Sequence, residues 1–284
     1  MMRKLCARVF MIRCGAWPLI AFFLLMSRAF PGDQPGMQLT VTQQKELDSL
    51  AQSFRIAACD SLSLAKSLDQ TPPCSMAAFL APFAKWLVSK GKTLDECKKD
   101  CIARSECMTS IKRFTIDLSD LPIAGDKAAP VSIVMYMSAM CPLCKYLAAE
   151  MNREVTTGAL KGKARLLAKP FTSGTGDRAL LAADHYKKYW DYIIALNSVK
   201  MRPDEPILLR VADSLGMPKA AFKNLLIDTA IAQRLEGFRK EGERNEVTMT
   251  PTFFINGKRY RSYKDPQWVV DAALYEYEGL KAGR

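Results

Sequence analysis

The stretch Val131-Ser132-Ile133-Val134-Met135-Tyr136-Met137, followed by Ala139-Met140-Cys141-Pro142-Leu143-Cys144-Lys145, decides the reading of this chain. The first run is β-branched and apolar, and it predicts a buried strand. After the cysteines, Lys145-Tyr146-Leu147-Ala148-Ala149-Glu150-Met151 is rich in helix formers, with apolar residues at helical spacing. The order strand, Cys-Pro-Leu-Cys, helix places Cys141 at a helix N-terminus. Free N–H groups and the positive end of the dipole favour a thiolate there. Pro142 suits the first turn, because its missing N–H would have no partner in the helix. Cys144 falls one turn along, shielded, and in reach of a mixed disulfide formed on Cys141.

A bare C-x-x-C is also half of a zinc site. Zinc needs two further ligands, and the chain has a single histidine, His185, inside a helical pattern. The deciding residues lie further on, in Val247-Thr248-Met249-Thr250-Pro251-Thr252-Phe253-Phe254-Ile255-Asn256-Gly257-Lys258. Here Thr-Pro opens a strand that ends in an Asn-Gly turn. With these two segments in this order, the chain resembles the DsbA-like branch of the thioredoxin-fold disulfide oxidoreductases, over about residues 116–284. The resemblance implies an α/β thioredoxin fold with an inserted helical domain. It implies that Cys141 and Cys144 are catalytic, with Pro142 and Leu143 as the dipeptide between them. It makes Pro251 a cis-proline facing the dithiol, and Thr250 the residue whose backbone pairs with an extended client strand. No metal and no organic cofactor are expected.

The rest of the C-terminal part fits that frame. Ile116 to Pro130 looks like the family's lead-in, with a short strand, a Gly-Asp turn and Ala-Pro before the central strand. Ala164 to Lys169 reads as the next parallel strand. A helical insertion follows over about 174–246, with patterns from Arg178 to Asn197, Pro206 to Leu215, Pro218 to Ile227 and Thr229 to about Glu246. Asp265 to Leu280 reads as an amphipathic closing helix. Two departures from the family stand out. Its members carry an acid six residues before the first cysteine, where this chain has Met135. The strongly oxidising type has Pro-His between the cysteines, and here the pair is Pro142-Leu143, which predicts a less extreme reduction potential.

Upstream, Met1 to Ala29 carries Arg3, Lys4, Arg8 and Arg13, an apolar core from Trp17 to Met26, then Ser27-Arg28-Ala29. This reads as a signal peptide cleaved before Phe30, with an uncleaved membrane anchor as the alternative. Residues 30–36 read as a flexible leader. Residues 37–114 read as a small helical unit that precedes the thioredoxin domain of 115–284. Thr42 is the expected first cap, Ser75 to Lys90 the second helix with Gly91 as its stop, and Thr93 the start of a third. The unit holds Cys59, Cys74, Cys97, Cys101 and Cys107. In an exported protein these are structural disulfide candidates, paired as Cys59–Cys74 and Cys107 with Cys97 or Cys101. An electron-relay pair and a metal site are the other readings.

Formal charge is +12, and removing the basic residues up to Ala29 leaves about +7 spread along the chain. With no Arg-rich block, nucleic acid is excluded as the expected partner. His185 and its aromatic neighbours Tyr186, Tyr189, Trp190 and Phe222 read as packing. Gly174-Thr175-Gly176 reads as a loop without a phosphate fingerprint. Lys169 reads as solvated or as a neighbour of the dithiol.

The expected function is thiol–disulfide exchange on exported, cysteine-containing client proteins in a periplasmic compartment, most simply as a disulfide-forming oxidase. It would work with a redox partner, either a membrane oxidase or an electron donor. The alternatives are an isomerase, which dimerisation through the helical unit would help, a thiol reductant for substrates such as apocytochromes, and a peptide-binding chaperone module with a structural dithiol.

Overall fold

In the computed structural model, which describes residues 37–200, 202–261 and 265–283, the chain opens with helices. The segments read as signal peptide and leader, 1–29 and 30–36, lie outside the described residues. Helix α1 (Val41–Ser53) is capped by Thr40, whose side chain accepts from Gln43 N–H while Gln43 reaches back to the Thr40 N–H. The cap is therefore two residues earlier than Thr42, because Gln43 completes the capping box that Lys45 cannot. A small hairpin follows, β1 (Arg55–Ile56) with β2 (Leu62–Ser63), joined through a 3₁₀ turn at Ala57–Cys59. Then come α2 (Leu64–Leu68), α3 (Ser75–Ser89) and α4 (Leu94–Thr109). Thr93 caps α4 in a full capping box with Glu96, where the sequence places its start.

The sheet is built from β3 (Ala124–Gly125), β4 (Val131–Met137), β5 (Ala164–Pro170), β6 (Thr252–Ile255) and β7 (Lys258–Tyr260). Its strand order is β3-β5-β4-β6-β7. Strand β4 lies at the centre and pairs in parallel with β5, Met135 opposite Ala168, and antiparallel with β6. All of its residues but Ser132 are buried, on both faces, which explains its almost wholly apolar sequence. Asn256 and Gly257 turn the β6–β7 hairpin with φ of 48° and 74°, the left-handed region that a two-residue Asn-Gly turn requires.

Helix α5 (Pro142–Thr156) connects β4 to β5. Among the described residues five helices fill the insertion: α6 (Thr175–His185), α7 (Tyr189–Asn197), α8 (Glu205–Ser214), α9 (Lys219–Leu226) and α10 (Thr229–Arg244). The single helix expected from Arg178 to Asn197 is two, broken where Lys187 takes a positive φ of 58°. Helix α11 (Pro266–Lys281) closes the chain against the sheet. Sheet, insertion and closing helix together make the DsbA-like thioredoxin arrangement that the resemblance implies.

The N-terminal helices share their core with the sheet. One continuous cluster runs from Leu50 and Phe83 through Met135 and Leu147 to Trp268. At the junction Arg104 of α4 is fully buried, with its guanidinium paired to Asp271 and bonded to the Tyr260 hydroxyl. The guanidinium also lies 4.1 Å from the ring centroid of Phe79 and 5.2 Å from that of Trp268. The same helix end runs along β7, where the Lys258 amine donates to the Met108 carbonyl.

Among the upstream cysteines, Cys59 and Cys74 are joined by a disulfide. The expected bond from Cys107 to Cys97 or Cys101 is absent, and all three thiols are free and buried. They sit on one helix, α4, where residues six and ten apart cannot bring their sulfurs together. Burial pushes the Cys97 thiol up to about 11 and Cys101 to about 12, so neither is poised to act as a thiolate relay. Among the described residues no cluster of three or more His, Cys, Asp or Glu is arranged to hold a metal ion. No helix among them is long and apolar enough to cross a membrane.

Candidate active site

The C-terminal ends of β4 and β5 and the loop before β6 converge on the two cysteines. Cys141 is the N-cap of α5, with extended backbone, and Pro142 occupies the first helical position. Its sulfur accepts the N–H of Cys144 at 3.3 Å. A thiol here takes the role usually filled by a Ser or Asp oxygen at a helix start. The interaction strengthens when the sulfur is ionised. Cys141 is half-exposed and Cys144 is fully buried.

Burial pushes the Cys144 thiol well above the ordinary range, and the adjacent Cys141 sulfur adds to the shift. The Thr250 hydroxyl, in hydrogen-bonding reach of the Cys144 sulfur, pulls the other way, as does the backbone at Ser138. One sulfur is thus open to solvent and the other held protonated beneath it. That asymmetry is what stepwise exchange between two sulfurs uses.

The peptide bond Thr250–Pro251 is cis. Its loop, together with Ser138, Met140, Cys141, Pro142, Thr172 and Arg202, lines an open cleft of about 430 Å³. Met249, just before Thr250, is 58% exposed. The sequence therefore predicted four residues that the fold brings together: Cys141, Cys144, Thr250 and Pro251. Leu143 packs on the core beside them, while Pro142 is exposed on the rim.

Met135 occupies the position where the family carries an acid, and it is fully buried in the apolar core. Lys169 is neither solvated nor a partner of the dithiol. It is buried against Glu241 of α10 at 2.6 Å, and Tyr136 donates to the same carboxylate at 2.8 Å. Glu241 also accepts the Asp117 N–H at 2.6 Å, so this ion pair ties the insertion and the lead-in to the sheet. His185 is exposed at the end of α6 and stacks edge-on with Tyr186.

Three residues near the dithiol escaped the sequence reading. Lys145, directly after Cys144, is buried, and its amine donates to the Val199 carbonyl of the insertion. Burial lowers its pKa, and the nearby Cys141 sulfur draws it back up. Arg202 brings the only charged side chain to the wall of the cleft among the described residues. Asp177 is fully buried behind the cleft and accepts the Ala139 N–H at 2.6 Å. For Asp177 the one local signal is an acid directly after Gly174-Thr175-Gly176. Lys145 and Arg202 look like any surface cation in sequence.

Comparison with known proteins bears on the same region. A family model described as Thioredoxin matches residues 119–272. Among solved structures, oxidised BdbD from Bacillus subtilis superposes with a TM-score of 0.52 at 19% identity, covering 59% of this chain and 98% of that one. The structure of α-DsbA1 from Wolbachia pipientis gives a TM-score of 0.51 at 19% identity, covering 59% and 96%. Both likenesses concern the fold. A sequence relative, the Na(+)/H(+) antiporter NhaA 3 of Salinispora tropica, is 26% identical over 145 residues, which are 49% of this chain. This chain spans only 22% of that protein's length.

Proposed function

This chain belongs to the thioredoxin family, and on that premise we propose that it is an exported protein thiol:disulfide oxidoreductase that forms disulfides in client proteins. One observation carries the reading. Cys141 is a half-exposed helix cap whose sulfur accepts the Cys144 N–H, in a cleft shared with the cis Thr250–Pro251 loop.

In the proposed cycle the oxidised protein holds a Cys141–Cys144 disulfide. A client thiolate attacks the Cys141 sulfur, forms a client–Cys141 disulfide, and releases Cys144 as a thiolate that takes up a proton. A second client thiolate then attacks the client's own sulfur and expels Cys141. The client loses two electrons, and the protein gains them as the free dithiol present here. The N–H bond to Cys141 favours that reduced form, and a stabilised reduced form makes the disulfide an oxidant. Thr250 would hold the client backbone as an added strand at the cleft edge. A redox partner, a membrane oxidase for this direction of flow, would restore the disulfide. Leu143 adds no charge between the cysteines, which is the observation favouring the second reading, a reductant or isomerase supplied by an electron donor.

The equilibrium of the Cys141–Cys144 pair with a glutathione buffer separates the two. A reduction potential near about −120 mV supports the oxidase, and one near about −230 mV or lower supports the reductant or isomerase. If Cys141→Ser leaves client oxidation or reduction unchanged, the dithiol has no enzymatic role.

A further inference from the structure

Behind the cleft lies a carboxylate that the exchange chemistry above leaves unused. Asp177, in the first turn of α6, is fully buried. Its Oδ1 accepts the Ala139 N–H at 2.6 Å. Its Oδ2 accepts the Thr172 N–H at 2.9 Å and the Thr172 hydroxyl at 2.6 Å. The Ser138 hydroxyl is also drawn to this carboxylate, and it accepts the Met140 N–H at 3.2 Å. Ala139 stands two residues before Cys141, while Ser138, Met140 and Thr172 form walls of the cleft. A single anion from the insertion therefore holds the loop after β4 and the loop after β5 at once.

The neighbouring residue shows that this approach is close. A Cβ at Gly176 would stand 2.8 Å from the Met140 sulfur and 3.1 Å from the Ala139 Cβ. Without a side chain there, α6 comes near enough for Asp177 to reach the Ala139 N–H. Burying a carboxylate is costly unless donors meet it, and here the Ala139 N–H, the Thr172 N–H and the Thr172 hydroxyl do. Burial pushes its carboxyl up to about 6, so it is still an anion at neutral pH.

We infer that Asp177 is a positioning residue for thiol–disulfide exchange, holding the Ser138–Met140 turn and Thr172 so that Cys141 meets an incoming sulfur in line, with Gly176 providing the approach. Exchange needs the attacking, central and leaving sulfurs aligned, and small misplacements of reacting groups cost large factors in rate. The inference rests on the exchange function proposed above.

The test uses the full chain as Asp177→Asn, Gly176→Ala and Thr172→Val. Asparagine keeps the shape but turns an NH₂ donor toward donors. Alanine at 176 keeps the carboxylate and displaces it. Valine at 172 removes one donor only. The readouts are the second-order exchange rate with a cysteine peptide, the pH profile of Cys141 alkylation by iodoacetamide, and the melting temperature. Asp177→Asn and Gly176→Ala are expected to slow exchange by roughly tenfold or more and to displace the alkylation profile, with Thr172→Val showing a smaller change of the same kind. Variants that melt earlier yet keep the wild-type rate and profile would make Asp177 a structural tie only and overturn the inference. If Asp177→Asn does not fold, Gly176→Ala decides by the same measurements. If the wild type exchanges with no thiol at all, the exchange function itself fails, and an alkylation profile unmoved by the variants would separately reject positioning.

Discussion

The N–H of Cys144 donates to the sulfur of Cys141 at 3.3 Å, so the first cysteine caps the very helix that carries the second. Breaking a bond between these sulfurs therefore strengthens a helix cap, and forming one weakens it. This links the redox state of the pair to the start of α5.

With Cys144 fully buried and Cys141 open, loss of Cys144 should strand the reaction halfway. Offered clients that already carry a disulfide, Cys144→Ser is expected to accumulate them in mixed disulfides on Cys141, each formed as the Cys141 thiolate attacks the client disulfide and releases a client thiolate, and seen as reducible adducts on non-reducing gels. Cys141→Ser should form none. Adducts from both variants in equal amounts would contradict the assigned order of attack.

Arg202 is expected to tune client choice, since it is the charged side chain on the cleft wall among the described residues. Arg202→Gln should slow exchange several-fold with peptides bearing acids beside their cysteine and leave neutral peptides unchanged. The difference should shrink at high salt, as screening predicts. Equal slowing of both peptides would argue against a charge effect.

The Cys59–Cys74 bond closes a loop with a sequence separation of 15. Replacing both cysteines by alanine is expected to cost about 3 kcal/mol, mainly by freeing the unfolded chain. Urea unfolding reads this directly. Exchange at Cys141 should persist in the folded variant, because the bond lies in the N-terminal helices.

Arg104 is buried among Phe79, Phe83 and Trp268 with Asp271 as its counter-charge. Truncating one member of such a pair leaves the other stranded, at a cost of about 3–5 kcal/mol. Arg104→Ala should show this loss by urea unfolding, and a loss below about 1 kcal/mol would mean that the pair was not desolvated in solution.

Asp177 and Asp271 give a pH signature. Burial raises both to about 6, in Asp271 against the pull of Arg104. The unfolded carboxyl titrates near about 3.9, so the folded protein binds extra protons between roughly pH 4 and 6. Stability from these groups is present below that window and lost as pH rises through it. Exposed carboxylates held low, such as Glu96 and Glu236, act in the opposite sense at lower pH. Urea unfolding of the wild type and Asp271→Asn from pH 4 to 7 should give a shallower decline for the variant. A steeper decline in the variant would show the sign to be wrong.

Short-range signals made much of this fold legible. The β-branched, apolar run 131–137 pointed to a buried strand, and Pro142, Thr93 and Asn256-Gly257 each carry a local backbone rule. Cys141 and Cys144 were readable from adjacent residues, while Thr250 and Pro251 came from the resemblance of their segment to the DsbA-like family. Asp177 and Arg104 were not readable that way. Asp177 meets Ala139 from 38 residues away, and Arg104 meets Asp271 from 167. Their burial arises only when helices pack, and a lone charge in a helical pattern looks solvated until then. Lys169 was misjudged for the same reason, since its partner Glu241 is 72 residues on. The break at Lys187 was equally hidden, because Tyr186-Lys187-Lys188 contains neither glycine nor proline.

Strand β7 forms one flank of the sheet, and α4 runs along it, fastened where Lys258 meets the Met108 carbonyl. An open flank offers unpaired N–H and C=O groups on which a foreign strand can grow. A protein that handles unfolded, cysteine-bearing chains would be exposed to such strands continually. The N-terminal helices close that flank, and the opposite one ends in the two-residue β3. In the proposed cycle a client strand would then add beside the cis-proline loop, away from the flank that α4 lines.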